Sequence, residues 1–214
     1  MIENYTFTLE KREKVAKGIE HFYFSCPEFS YKAGNYVSLK NNAGRKPFTI
    51  SSSPNESLIR ITIKKVGLTT TEMFTMNPGD TIEAFGPFGL SFDERFTDKA
   101  IIFITGGTGI TPSLAFHNHI MLNNLSNRLK VFYSCATADE IIPTDAESVV
   151  TLTREEKEGY FHGRITKVFL EKHLTQEDLE NSVFVVCGPV VMEKEFKQIL
   201  SEMGAKDIYN GRRA

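Results

Sequence analysis

The run Ala100-Ile101-Ile102-Phe103-Ile104 passes directly into Thr105-Gly106-Gly107-Thr108-Gly109-Ile110-Thr111-Pro112, and a helical pattern begins at Ser113. No other stretch restricts the fold as much. An apolar strand that turns through glycines into a helix aims the helix's positive end, and the loop's N–H groups, at a single point. The glycines matter because a residue without Cβ turns with φ > 0 and brings its backbone close to an anion. Two readings stand: a tight strand-to-helix turn, or a cradle for a nucleotide diphosphate in which the threonine hydroxyls are additional donors. The loop departs from the dinucleotide fingerprint GxGxxG, because counting from Gly107 the third glycine position is Pro112.

The chain changes rhythm just ahead of this loop. Residues 5–9, 21–24, 36–39, 48–50, 58–63 and 81–85 are β-prone, and turn formers such as Ala33-Gly34-Asn35, Asn77-Pro78-Gly79-Asp80 and Gly86-Pro87-Phe88-Gly89 separate them. Short strands at near-regular spacing predict a barrel or sandwich, with a short helix over 69–76. Beyond Phe92, strands of the continuous apolar kind at 101–104, 129–133, 148–152 and 183–186 alternate with helical spacing at 113–124, 166–173 and 190–203. That alternation predicts a parallel α/β sheet buried on both faces. The polar stretch 93–98 divides the two, giving domains 1–97 and 98–214.

Composition limits what such a chain binds. With 25 basic and 27 acidic residues among 214, the formal charge is −2, which provides no electrostatic footprint for nucleic acid or an anionic membrane. The start, Met1-Ile2-Glu3-Asn4-Tyr5, has no basic segment followed by an apolar one, and no run approaches a membrane span, so a cytoplasmic protein without membrane insertion is expected. Cys26, Cys135 and Cys187 are an odd number without a CxxC pair, which fits reduced thiols and no metal site. His117 and His119, two apart on a helix, face different ways. There is no HExxH, GxSxG or P-loop lysine signature, so hydrolysis and phosphoryl transfer lack support.

Two further stretches carry chemistry. Lys46-Pro47-Phe48-Thr49-Ile50-Ser51-Ser52 puts a cation, a ring and several hydroxyls on one probable strand, with Lys46, Phe48 and Ile50 on one side and Thr49 and Ser51 on the other. A flavin asks for such a set: an apolar wall, donors for the ring edge, a cation for the pyrophosphate. In Lys65-Val66-Gly67-Leu68-Thr69-Thr70, a glycine ends an apolar strand and a threonine that can cap follows three residues on. Each stretch by itself is also an ordinary strand-to-turn transition.

In this order, over nearly the whole chain, the motifs resemble those of the ferredoxin-NADP reductase family of FAD- and NAD(P)H-dependent oxidoreductases. The family's flavin motif is similar to Lys46 through Ser52, its flavin-phosphate motif to Gly67 through Thr70 behind Lys65, its barrel-closing motif to Gly86 through Gly89, and its nicotinamide-nucleotide loop to Gly106 through Pro112. Its late Cys-Gly-Pro motif is similar to Cys187-Gly188-Pro189, with Met192 after it. The resemblance implies an N-terminal antiparallel Greek-key FAD-binding barrel followed by a parallel-sheet, Rossmann-like NAD(P)-binding domain. It implies that Phe48 packs on the flavin ring and Thr49 bonds its N5 edge, that Lys46, Gly67 and Thr70 hold the FAD pyrophosphate, and that Gly107, Thr108 and Gly109, within the loop through Ile110, Thr111 and Pro112, hold that of the pyridine nucleotide. Cys187 touches the nicotinamide on this view; the alternative is a buried small hydrophobe. Thr49 and Cys187 are thereby the catalytic candidates, and hydride passes from NADH or NADPH to FAD and on to a separate acceptor, protein or small molecule. A flavin reductase that releases its flavin, and a nucleotide-binding subunit without turnover, are the rival expectations.

Three departures accompany the resemblance. Lys46 stands where the family usually has arginine, losing the bidentate fork, and Phe48 stands where tyrosine is usual. The chain closes Ile208-Tyr209-Asn210-Gly211-Arg212-Arg213-Ala214, so Tyr209 is the one nearby candidate to cover the flavin, the alternatives being no cover or one formed by a partner. The turn Ser134-Cys135-Ala136-Thr137-Ala138-Asp139-Glu140 offers two carboxylates and no cation to a 2′-phosphate, which favours NADH; Arg154 is the reservation.

Overall fold

The computed structural model describes residues 3–211. In the first half, alternating aromatic and branched residues build strands β1 (Asn4–Ala16), β2 (Ile19–Ser25), β3 (Tyr36–Asn41), β4 (Gly44–Thr49), β5 (Ile59–Lys64) and β6 (Thr81–Phe88), with the short helix α1 (Leu68–Met73) between the last two. They form one antiparallel sheet in the order β4-β3-β6-β1-β2-β5. The sheet curls over Phe7, Leu9, Phe22, Phe24, Val37, Leu39 and Ile61, all fully buried. Its edge strands meet at one antiparallel bridge, Ile50 to Ile61, so the unit is barrel-like rather than closed along its whole seam.

The second half contains β7 (Ala100–Gly106), α2 (Thr111–Leu122), β8 (Leu129–Cys135), β9 (Glu147–Leu152), β10 (Phe161–His162), α3 (Lys167–His173), α4 (Gln176–Asn181), β11 (Ser182–Cys187), α5 (Val190–Met203) and β12 (Asp207–Asn210). Its sheet is wholly parallel, in the order β10-β9-β8-β7-β11-β12. Along β7 the side chains alternate: Ile101 and Phe103 pack toward α2 with Phe116, whereas Ile102 and Ile104 pack toward Leu170, Phe196 and Leu200 of α3 and α5. β8 flanks β7 on one side and β11 on the other, so the order reverses there. In an open α/β sheet the crevice beyond the strand ends at that reversal is where ligands sit.

Several elements differ from the sequence expectation. β1 runs seven residues past the expected end, through mostly charged residues, because beyond its pairing with β6 it stays paired with β2, which lies against β5, and this end of the hairpin places Ala16 and Ile19 in the core around α2. α4 was not expected, although its cap is readable: Thr175 Oγ1 accepts from Asp178 N at 3.1 Å while Asp178 Oδ2 accepts from Thr175 N at 2.9 Å. The edge strands β10 and β12 are too short to carry a periodicity.

The halves are in intimate contact. Ala16, Ile19 and Ala33 belong to the same apolar cluster as Phe116. Gly34, at φ +93°, lies so close under the Phe116 ring that a Cβ there would be 2.5 Å from it. Lys17 and Lys64 reach across to Asp139 and Glu140 at 2.8 and 2.9 Å. No helix among the described residues is long and apolar enough to cross a membrane.

Candidate active site

β7 and β11 run in register, Thr105 beside Cys187, so the two loops beyond them emerge side by side. After β7 the chain makes a 3₁₀ turn, Gly107–Ile110, before α2. Gly107 has φ +55° and nothing near the place of a Cβ, so it faces open space. Gly109 is the reverse case: a Cβ there would drive into the Cys187 carbonyl oxygen and lie 3.1 Å from the Gly188 Cα. Gly106 and Gly188 are pressed by the Met192 sulfur, which would lie 2.8 and 2.7 Å from their Cβ positions. Gly106, Gly109 and Gly188 are each required by this packing.

Above the loops lies a cavity of about 680 Å³, within the range of small-molecule sites. Its walls are Gly106 through Gly109, the end of β8 at Ser134 through Ala136, Thr153 beyond β9, Arg164 and Ile165 beyond β10, and Gly188, Pro189, Met192 and Glu195 around the start of α5. Lys64, from the barrel strand β5, completes it. Burial pushes the Cys135 thiol up to about 11, so it lines the cavity uncharged.

Of the residues expected in the nucleotide loop, Gly107, Thr108 and Gly109 reach this cavity, as do Gly188 and Pro189. Ile110, Thr111 and Pro112 are buried; the Thr111 hydroxyl donates to Thr108 O at 3.0 Å and thereby holds the loop. Cys187 is 3% exposed, with its carbonyl against Gly109 and its sulfur under Gly211.

On the barrel, Phe48 and Thr49 are half-buried, and Phe48 leans on the barrel interior next to Ile50, which is fully buried. Lys46 and Pro47 are exposed. Ser51 and Ser52 have no exposed surface: Ser51 Oγ donates to Arg60 O and shares a hydrogen bond with Thr62, while Ser52 Oγ accepts from Arg60 N and meets the Tyr31 hydroxyl. They lock the barrel seam. Thr70 is likewise occupied, because its Oγ1 accepts from Val66 N and Gly67 N at 2.9 and 3.0 Å and donates to Gly67 O. Thr69 is buried beneath it, donating to Ala43 O, and Lys65 is exposed, its ammonium over the Phe74 ring. Around the open Gly67, Val66 and Leu68 are 74% and 82% exposed. A half-exposed ring, an adjacent hydroxyl, uncovered aliphatic side chains and the cations Lys46 and Lys65 fit an aromatic cofactor with a pyrophosphate.

Tyr209 does not line this cavity. Its ring packs at 5.9 Å on Phe96 with the Arg95 guanidinium 5.0 Å above it, and the closing Arg212-Arg213-Ala214 lies outside the described residues. Asp139 and Glu140, expected to repel a 2′-phosphate, are instead paired with Lys17 and Lys64 and do not line the cavity; Arg164 does. Thr153 and Arg164 were missed because they lie beyond the ends of β9 and β10, and Glu195 because it lies within α5, strands and a helix that only the sheet order brings to β7.

Residues 103–198 match the oxidoreductase NAD-binding domain model. The chain is 25% identical over 209 residues to sulfhydrogenase 2 subunit gamma of Pyrococcus furiosus, covering 86% of this chain and 70% of that one. It is 28% identical over 198 residues to the probable dihydroorotate dehydrogenase B (NAD(+)) electron transfer subunit of the same organism, covering 90% and 73%. Against the flavohemoprotein of Bacillus subtilis it is 24% identical and spans 56% of that protein's length. Among solved structures, a ferredoxin NADP+ reductase from Neisseria gonorrhoeae superposes with a TM-score of 0.82 at 20% identity, covering 97% of this chain and 98% of that one. The motif order and the two-sheet architecture agree with these matches: residues 103–198 match the oxidoreductase NAD-binding domain, and the whole chain shares its two-sheet fold with that ferredoxin NADP+ reductase.

Proposed function

We propose that the chain takes hydride from NADH, in preference to NADPH, onto FAD held by the barrel, and hands the electrons to a separate acceptor. The observation that carries this is the cavity itself: its floor is the glycine loop of the NAD-binding half, and one wall, Lys64, belongs to the barrel strand that leads into the Lys65 to Thr70 motif. FAD, when bound, supplies the two-electron carrier. The protein's share is binding, orientation and exclusion of water, for which no strong acid or base is needed.

On this reading Phe48, Val66 and Leu68 offer the apolar surface, Thr49 the donor to the ring edge, and Lys46 and Lys65 the charge for the pyrophosphate. Ser51, Ser52, Thr69 and Thr70 hold the backbone of both motifs in place. Gly107 through Gly109 receive the pyridine nucleotide, and the Cys187-Gly188-Pro189 turn sets its nicotinamide end. Two relatives carry "electron transfer subunit" or "subunit gamma" in their names, and one names NAD(+), which supports a protein acceptor and NADH. Anaerobic mixing with excess NADH should bleach the flavin absorbance faster than NADPH does; a spectrum unchanged by both would refute a reductase. FAD retained at one per chain through dialysis separates this protein from an enzyme that releases flavin.

A further inference from the structure

We infer that Glu193 is a positioning residue for the nicotinamide end of the site, acting through the Cys187–Gly188 peptide. The inference rests on the reading of the cleft given above. β11 is buried along its whole length and ends in Cys187; Gly188 is buried as well, and α5 starts two residues later. The residue at the helix entry is Pro189, which has no side-chain acceptor for the turn. A buried N–H without an acceptor costs about 1–3 kcal/mol. The acceptor is supplied from within α5: Glu193, only 8% exposed, receives the Gly188 N–H on Oε1 at 3.3 Å.

The opposite side of the same peptide is blocked by backbone. Gly109 comes so close that a Cβ there would lie 2.7 Å from the Cys187 carbonyl carbon and 3.1 Å from the Gly188 Cα. One residue before Glu193, the Met192 sulfur fits against both Gly106 and Gly188. A single turn of α5 therefore pins the ends of β7 and β11 on either side of the strand-order reversal. The Cys187–Gly188 peptide is held between the Gly109 backbone and the Glu193 carboxylate, which the N-terminal end of α5 also favours electrostatically. Without the carboxylate, the buried Gly188 N–H loses this acceptor, and the peptide is free to move away from Gly109. Hydride transfer depends on separations of a few tenths of an ångström, and a misplacement of about 1 Å costs on the order of 100-fold in rate.

The test uses the FAD-loaded wild-type protein, Glu193→Gln, which keeps an acceptor oxygen, and Glu193→Ala, which does not. Three quantities are read: the limiting rate of anaerobic flavin bleaching by NADH, the NAD+ dissociation constant by calorimetry, and the alkylation rate of the Cys187 peptide by mass spectrometry. We expect Glu193→Ala to slow bleaching at least tenfold, change the dissociation constant less than threefold, and speed alkylation of the buried Cys187 at least tenfold; Glu193→Gln should stay within threefold of wild type in all three. Unchanged bleaching and alkylation in Glu193→Ala overturn the inference, as does an equal loss of bleaching, affinity and melting temperature in both variants. If the wild type itself fails to bleach, the reductase reading falls, and alkylation of Cys187 across the three proteins still decides the role of Glu193.

Discussion

Gly109 shows how a single residue serves two purposes. Its loop was readable as a nucleotide cradle, yet the structure shows that this glycine is required by the Cys187 carbonyl and Gly188 Cα packed on it. Gly109→Ala should cost about 1–3 kcal/mol by overpacking and separate the two loops, weakening NAD+ binding by about tenfold or more; thermal unfolding and an NAD+ titration check both, and wild-type values would show that the loops yield. His21 provides the titration expected at this scale. Its Nδ1 meets Thr62 Oγ1 at 2.9 Å, and its ring borders a small cavity with Arg60, His117 and Asp145. Burial first, then the Arg60 charge, lowers its pKa from 6.5 to about 4, with Glu13 opposing. Since the folded value lies below the unfolded one, the unfolded chain binds the extra proton between them. Its contribution is therefore complete above about pH 6.5 and is lost as the pH falls through about 4, a difference of about 2 kcal/mol once solvent reaching the half-exposed ring is allowed for. Denaturant midpoints from pH 7 to pH 4 should fall more steeply for wild type than for His21→Gln; parallel curves would remove His21 as the cause. Of the residues expected at the cofactors, Gly107, Phe48 and Thr49 stay partly accessible, as an expectation read from local chemistry requires. Ser51 and Ser52 were misleading, since a hydroxyl's partner is set by the strand opposite, here Arg60 and Thr62 of β5.

Among the elements, α1 illustrates why a short helix forms at all. Six residues are marginal by propensity alone, and the Thr70 hydroxyl stabilises the entry by accepting from Val66 N and Gly67 N. Thr70→Ala should cost about 1–2 kcal/mol and loosen the loop around Gly67, so that more flavin is lost on dialysis than from wild type; equal retention would mean that the loop keeps its shape without the hydroxyl. The strands of the second half were legible because a strand buried on both faces is apolar at every position, as in β11. The far half of β1 was not, because it is mostly charged and is held by pairing with β2 alone, with bulges between Leu9 and Lys11 and between Lys14 and Ala16. α4 was legible through Thr175 and Asp178 and overlooked.

For the whole molecule, the joined core matters most. Ala16, Ile19 and Ala33 from the barrel pack in one cluster with Phe116 and Leu114 of α2, and the Lys17 and Lys64 ion pairs lie at its edge, where such pairs add little. The two halves should therefore unfold together, as one calorimetric transition; two resolved transitions would show that the shared cluster does not couple them. The sequence alone determined a β-rich unit ahead of a parallel α/β unit, and a glycine loop between a strand and a helix, because periodicity and turn chemistry act over a few neighbouring residues. Only the tertiary structure decided that Arg164, Thr153 and Glu195 border the cavity, that Glu193 accepts from the Gly188 N–H, and that Tyr209 packs on Phe96. Those outcomes depend on which strand lies beside which, and strand order follows from burying the apolar faces of the entire chain at once.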